Sequence, residues 1–174
     1  MSSYITHMDT IAEKLQDNSL DLRTKHSFFS ELCDTLETYN NGKEHEYFLK
    51  KFMPIFLKQL ELVPIGFTSN SQEHKLRNLI LNIIHRLPTN ESFQDYTDET
   101  LSFLIKLIKE ENEENGIQCL KIITSLHKSY KDKLSSKVNE FIDIILEIYS
   151  NIPNLVDEQF GDSNTTTNNS NGNS

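Results

Sequence analysis

Residues 110–126, EENEENGIQCLKIITSL, constrain this chain more than any other stretch, because an acidic joint runs straight into an apolar segment with no strand between. Behind Gly116, the positions Cys119, Ile122, Ile123, Leu126 and Tyr130 recur at three- and four-residue steps, which places them on one face of a helix. Another helical stripe precedes the joint. A chain that passes from helix to helix through so short a link reverses direction, which is how a helical repeat turns.

The same period marks the rest of the chain. Ile5, Met8, Ala12 and Leu15 predict a short helix over 5–15. Leu22, Phe29, Leu32, Cys33 and Leu36 predict another over 20–39, closed by Asn40, Asn41 and Gly42 as a left-handed C-terminal cap. Residues 44–62 carry Leu49, Phe52, Met53, Phe56 and Leu60 on one face, widened by Phe48, Ile55 and Leu62. Pro54 in their midst costs an isolated helix about 3 kcal/mol, so the stretch is either one kinked helix or two shorter ones. Ser69 and Gln72 offer a capping box for a helix over 74–87, whose Leu76, Leu79, Ile80, Ile83, Ile84 and Leu87 run up to Pro88. After a TNESFQ loop, residues 95–110 place Leu101, Leu104, Ile105 and Ile108 behind Asp95, Asp98 and Glu99, acids that suit a helix N-terminus. A last helix over 135–150 is expected to bury Val138, Phe141, Ile142, Ile145 and Tyr149, with Pro153 marking its end.

No segment alternates apolar and polar residues as a strand does. About seven helices and short links predict an all-α fold of antiparallel helix pairs, stacked as a HEAT/armadillo-like α-solenoid segment. Starts near residues 44, 95 and 135 are compatible with the roughly 40–47-residue period of such units. An ordinary helical bundle satisfies the same stripes. The expected division is a helical-repeat domain over 1–160 and a disordered tail over 161–174, since SNTTTNNSNGNS offers almost nothing apolar to bury.

The chemistry-bearing residues form no familiar constellation. A formal net charge of −9 argues against a broad nucleic-acid footprint, which needs a clustered basic surface. No run approaches the roughly 18 apolar residues of a membrane span. Cys33 and Cys119 both sit in apolar helical patterns, so buried free thiols and a reducing compartment are expected. His7, His26, His45, His74, His85 and His127 are never three or four residues from another His or from Cys, the spacing a metal site on a helix uses. His85 and His127 border apolar stripes and read as core or boundary residues. The five glycines are isolated, which removes a phosphate-cradling loop. No catalytic, cofactor-binding or metal-binding residue is therefore assigned.

Two charge runs invite a functional reading. Lys109 to Glu114, KEENEE, resembles an acidic docking patch, but burying one flanking Ile or Leu is worth about 1.5–3 kcal/mol, far more than the few tenths at stake between like charges. Packing should dominate and leave these charges on a solvated turn. Lys121, Lys128, Lys131, Lys133 and Lys137 form a loose basic cluster that could meet an acidic partner, yet only Tyr130 supplies an aromatic, so a solvated face is again expected.

Four strings carry a family likeness: FLKQLELVP (56–64), HKLRNLILNIIHRL (74–87), EENEENGIQCLKIITSLHKSY (110–130) and IDIILEIYSNIPNLV (142–156). In order and spacing they resemble the N-terminal helical segment of the transcription coactivator scaffolds called TRRAP in animals and transcription-associated protein in yeasts. The resemblance implies a giant HEAT-repeat protein of the phosphatidylinositol-3-kinase-related class, whose distant kinase-like domain lacks catalytic residues. It further implies a nuclear, non-enzymatic scaffold in histone acetyltransferase assemblies (SAGA and the nucleosomal H4-directed complex), with complex subunits and transcriptional activators as partners. No cofactor, small-molecule substrate, membrane or direct nucleic-acid contact is implied. The Asn/Thr-rich tail departs from the family pattern, and on repeat pattern alone an unrelated HEAT/armadillo-like adaptor in trafficking or transport is the alternative.

Overall fold

The computed structural model describes residues 3–36 and 42–160, with side chains over 5–36 and 42–150. The expected tail at 161–174 and the capping residues Asn40 and Asn41 lie outside the described residues. Eight α-helices are present among those described: α1 (Ser3–Gln16), α2 (Leu22–Thr35), α3 (Gly42–Leu62), α4 (Gln72–Arg86), α5 (Thr97–Leu107), α6 (Glu113–Ser129), α7 (Lys131–Leu134) and α8 (Val138–Phe160). Short 3-10 segments at Glu91–Tyr96 and Ser135–Lys137 join them, and no strand occurs among the described residues. The chain divides into two compact units, Met1–Ser136 and Lys137–Ser174.

In the first unit the helices form pairs: α1 packs on α2, α3 on α4, and α5 on α6. Side-chain bonds give their directions. His7 near the start of α1 meets Glu31 near the end of α2 at 3.0 Å, so that pair is antiparallel. Arg77 in the first half of α4 donates to the carbonyl of Leu60 at the end of α3, so the second pair is antiparallel too. Between pairs, α2, α4 and α6 stack in one layer, while α1, α3 and the 3-10 segment at 91–96 stack in the other. Within a layer the direction repeats: Asp9 of α1 accepts from Tyr47 of α3, and further along Leu15 accepts from Gln59. Pairs that reverse internally and repeat in register along two layers make an α-solenoid segment.

Apolar burial drives each contact. Phe29, Phe48, Phe52 and Phe56 are almost completely buried where α2 and α3 meet, with ring centroids of Phe48 and Phe52 4.8 Å apart. In the other layer Leu76, Ile80 and Ile83 of α4, and Cys119, Ile122, Ile123 and Leu126 of α6, are fully or almost fully buried. These are the stripes that the spacing predicts.

Several local expectations are corrected. Of the two alternatives open for residues 44–62, a single helix forms, with Pro54 on its exposed side. Gly42 has the left-handed φ of +64° that the sequence suggests, but it opens α3. The cap of α4 is Ser71, not Ser69: its side chain accepts from the His74 amide, and Gln72 is already helical. TNESFQ is not plain loop, since Asn90 caps a 3-10 turn that inserts Phe93 into the core, and α5 ends at Leu107.

The second unit contributes α8, which continues through Pro153 to Phe160 instead of stopping near Ser150. Its expected buried stripe is also corrected. Val138, Ile142, Leu146 and Tyr149 are exposed, Phe141 and Ile145 are half-buried, and over the described side chains, 138–150, Ile144 is the buried position. A helix with apolar residues around much of its circumference has more than one apolar arc, and spacing alone does not say which is covered.

Candidate functional site, a buried polar junction

Helix α4 buries Leu76, Ile80, Leu81, Ile83 and Ile84, and Arg77 stands three, four and seven residues before three of them. It therefore lies on the buried arc, only 1% exposed. A guanidinium held there needs partners for all its donors. Its Nε and Nη2 donate to Glu111 Oε2, the first at 2.9 Å, and its Nη1 donates to the Leu60 carbonyl at 2.6 Å and to the Val63 carbonyl. The Glu111 side chain is 0% exposed, so the ion pair is fully buried.

The second oxygen of Glu111 is also occupied. Oε1 accepts from the Asn112 side chain at 3.0 Å, from the Asn112 amide at 3.3 Å and from the Asn115 side chain at 3.3 Å. Asn112 is the N-cap of α6, accepting from the Asn115 amide at 3.1 Å, and its side-chain amide reaches the Gly66 carbonyl at 3.0 Å. Asn78 of α4 donates to Asn115 at 3.0 Å and accepts from Asn82 at 2.8 Å. On the rim, Nε2 of buried His74 lies 2.9 Å from Glu114 Oε2. The end of α3, the loop after it, the first half of α4 and the start of α6 are thus tied into one network.

Gly66 completes the junction. A Cβ there would stand 2.3 Å from Ser71 Oγ and 2.6 Å from the His74 amide nitrogen, so only glycine lets the loop pass this close to the α4 cap.

The acidic run is where expectation and structure part most clearly. Glu110 and Glu113 are solvent-facing as expected, but Glu111 is a buried ion-pair partner and Glu114 bridges to a buried histidine. A comparison of like-charge repulsion with apolar burial could not register a buried cation 34 residues away in sequence. One signal was present: Arg77 sits on an otherwise apolar arc and so demands a buried anion.

Among the lysines of the basic cluster, Lys121, Lys128 and Lys131 are exposed, Lys133 donates to the Gln94 carbonyl, and Lys137, in the other unit, pairs with Glu140 at 3.5 Å. Cys119 is a fully buried thiol, pushed up to about 12 by burial and then by the negative charge of Glu111. Cys33 is half-buried rather than buried, and Arg86 reaches its Sγ at 2.9 Å. His127 is half-buried, its pKa lowered by that burial, while His85 is exposed. Tyr130 donates to the Asn90 carbonyl at 2.7 Å and stacks on Phe93, and burial pushes its phenol up to about 12. Among the described residues, no group of three His, Cys, Asp or Glu is placed to hold a metal ion, and no helix is long and apolar enough to cross a membrane. The junction fixes helices in place, and most of its polar atoms are committed to one another, His74 Nδ1 being a buried exception.

No protein-family model matches the chain. Individual proteins do. The chain is 40% identical over 158 residues to the Saccharomyces cerevisiae SAGA complex/NuA4 acetyltransferase complex subunit TRA1, covering 91% of this chain and 4% of that protein. It is 32% identical over 146 residues to the human Transformation/transcription domain-associated protein, covering 84% and 4%. Transcription-associated protein 1 of Drosophila melanogaster is 32% identical over 150 residues, covering 86% and 4%. The chain thus spans about 4% of the length of these relatives. Over this helical segment, the chain belongs to the TRRAP and TRA1 family of transcription-associated proteins.

Proposed function

We propose that this chain is a non-catalytic scaffold segment of a nuclear transcription coactivator, acting within a histone acetyltransferase assembly through protein partners that include other subunits and transcriptional activators. Similarity to a subunit named for both the SAGA and the NuA4 complexes carries this reading. The physical chemistry agrees with it. Arg77 and Glu111 are buried and bonded to each other and to their neighbours, and the Cys119 thiol is buried and held neutral, so none of them supplies an open acid, base or nucleophile. What remains is surface. Stacked pairs bury a continuous core and present ridges along which partners dock. A helical-repeat domain over 1–160 that meets proteins and not nucleic acid is part of the same proposal, as is the nuclear location.

Affinity purification of the tagged protein from nuclear extract, followed by mass spectrometry, tests it. Recovery of histone acetyltransferase subunits is expected. Recovery of vesicle-coat or nuclear-import proteins in their place would overturn the assignment in favour of a transport adaptor.

A further inference from the structure

The layer that carries α1 and α3 is not continued evenly. The 3-10 segment at 91–96, anchored by buried Phe93, packs against α3, and α5 follows beyond it. A groove of about 590 Å³ remains between the end of α3, the Val63–Ile65 segment and one face of α5. That volume lies in the range of formed ligand clefts, about 300–1,000 Å³. The α5 face recurs at helical steps: Glu99, Ser102, Phe103 and Lys106, with Glu110 just past the helix end.

Two properties define what fits. The apolar surface comes from Val63, Pro64, Ile65, Phe103 and Leu107, with the small Ser102 keeping the middle open. The same chain segment exposes Leu62 at 52% and Phe67 at 79%, large apolar side chains left at the surface. The exposed charges of the lining are mainly acidic, Glu61, Glu99 and Glu110 against Lys106, and the second cation, buried Arg77, is already paired with Glu111. Among the described residues none of the three carboxylates is held in an ion pair, so their charge is open to a partner's cations.

We infer that this groove docks a partner-protein segment that combines apolar side chains with lysine or arginine, the apolar groups covering Phe103 and Ile65 and the cations meeting Glu61, Glu99 and Glu110. An acidic segment is disfavoured there by like charge, which gives the surface a selectivity that apolar contact alone lacks. This deepens the scaffold reading and rests on it, by naming one surface and the chemistry it takes.

Fluorescence anisotropy with labelled synthetic helices tests it on the whole chain. The probes are a Leu–Lys amphipathic peptide, its Leu–Glu counterpart, and a Ser–Lys peptide of the same charge. Only the first is expected to bind. Glu99→Lys/Glu110→Lys should weaken it about tenfold, whereas Glu13→Lys/Asp34→Lys, which changes net charge equally at exposed positions elsewhere, should leave it nearly unchanged. Equal weakening by both double variants, or binding of the Leu–Glu or Ser–Lys peptide as tight as that of Leu–Lys, would overturn the inference. Circular dichroism melting of both variants keeps a folding defect from passing as loss of binding. Recovery of acetyltransferase subunits by the Glu99→Lys/Glu110→Lys protein together with loss of peptide binding separates this groove from the broader assignment.

Discussion

Where the α1/α2 pair meets α3/α4, Phe29, Phe48, Phe52 and Phe56 interlock, and one polar thread, Lys25 to Gln59 to the Leu15 carbonyl, runs beside them. Where α3/α4 meets α5/α6, the apolar stripes are joined by the Arg77–Glu111 pair and its asparagines. Apolar contact is non-directional, each buried phenylalanine worth about 1.5–3 kcal/mol wherever its ring finds cover. A buried ion pair adds little net energy over an apolar replacement of similar shape, but it stabilises only one alignment. A slip of α6 by one turn along α4, about 5.4 Å, would keep Ile and Leu against Ile and Leu while parting Arg77 from Glu111. The aromatic junction supplies adhesion, and the polar junction supplies register.

The contrast breaks most readily at Arg77. Arg77→Met leaves Glu111 buried without its cation, and an expected loss of about 3–5 kcal/mol should appear as a lowered urea midpoint. Arg77→Met/Glu111→Leu removes both charges and should recover most of that loss. In the aromatic junction, Phe52→Leu conserves apolar character and should cost less than about 1.5 kcal/mol. If Arg77→Met costs no more than Phe52→Leu, the polar network is not what holds the second junction.

A smaller effect separates the two glycines that flank this network. Gly66→Ala forces a Cβ against the Ser71 hydroxyl and the His74 amide, and a loss of about 1–3 kcal/mol is expected from strain in the loop and the α4 cap. Gly116 lies inside the first turn of α6, where an added Cβ would meet nothing within 4 Å, so Gly116→Ala should stabilise by about 0.4–1 kcal/mol by restricting the unfolded chain. Opposite signs in thermal melts would place the close packing at the loop. Equal signs would remove it.

The helices and most of their buried faces could be read from spacing, because Leu76, Ile80, Ile83 and Ile84, or Cys119, Ile122, Ile123 and Leu126, need only the period of the α-helix. The pairing of α3 with α4 and α5 with α6 followed from short links. The polar junction was not legible in the same way, since its bonds span 34 residues between Arg77 and Glu111 and 46 between Asn112 and Gly66. Periodicity orders residues along one helix and carries no information about which helix lies opposite. The groove on α5 escaped for a related reason: it adjoins the end of α3, against which the Glu91–Tyr96 turn packs, and that segment reads in sequence as a plain loop.

The finest resolution of the comparison lies within a single charge run. Glu113 is exposed in the first turn of α6, where a negative charge meets the positive end of the helix dipole, so Glu113→Lys should cost only about 0.3–1 kcal/mol. Glu111, two residues earlier and equally charged, faces Arg77 with its side chain entirely buried, and Glu111→Lys would set two cations together where water is absent. The second variant should therefore fail to fold while the first melts close to the parent, as followed by circular dichroism. Comparable melting for the two would mean that the run is uniformly solvated and that the register of α6 against α4 is set by the apolar stripes alone.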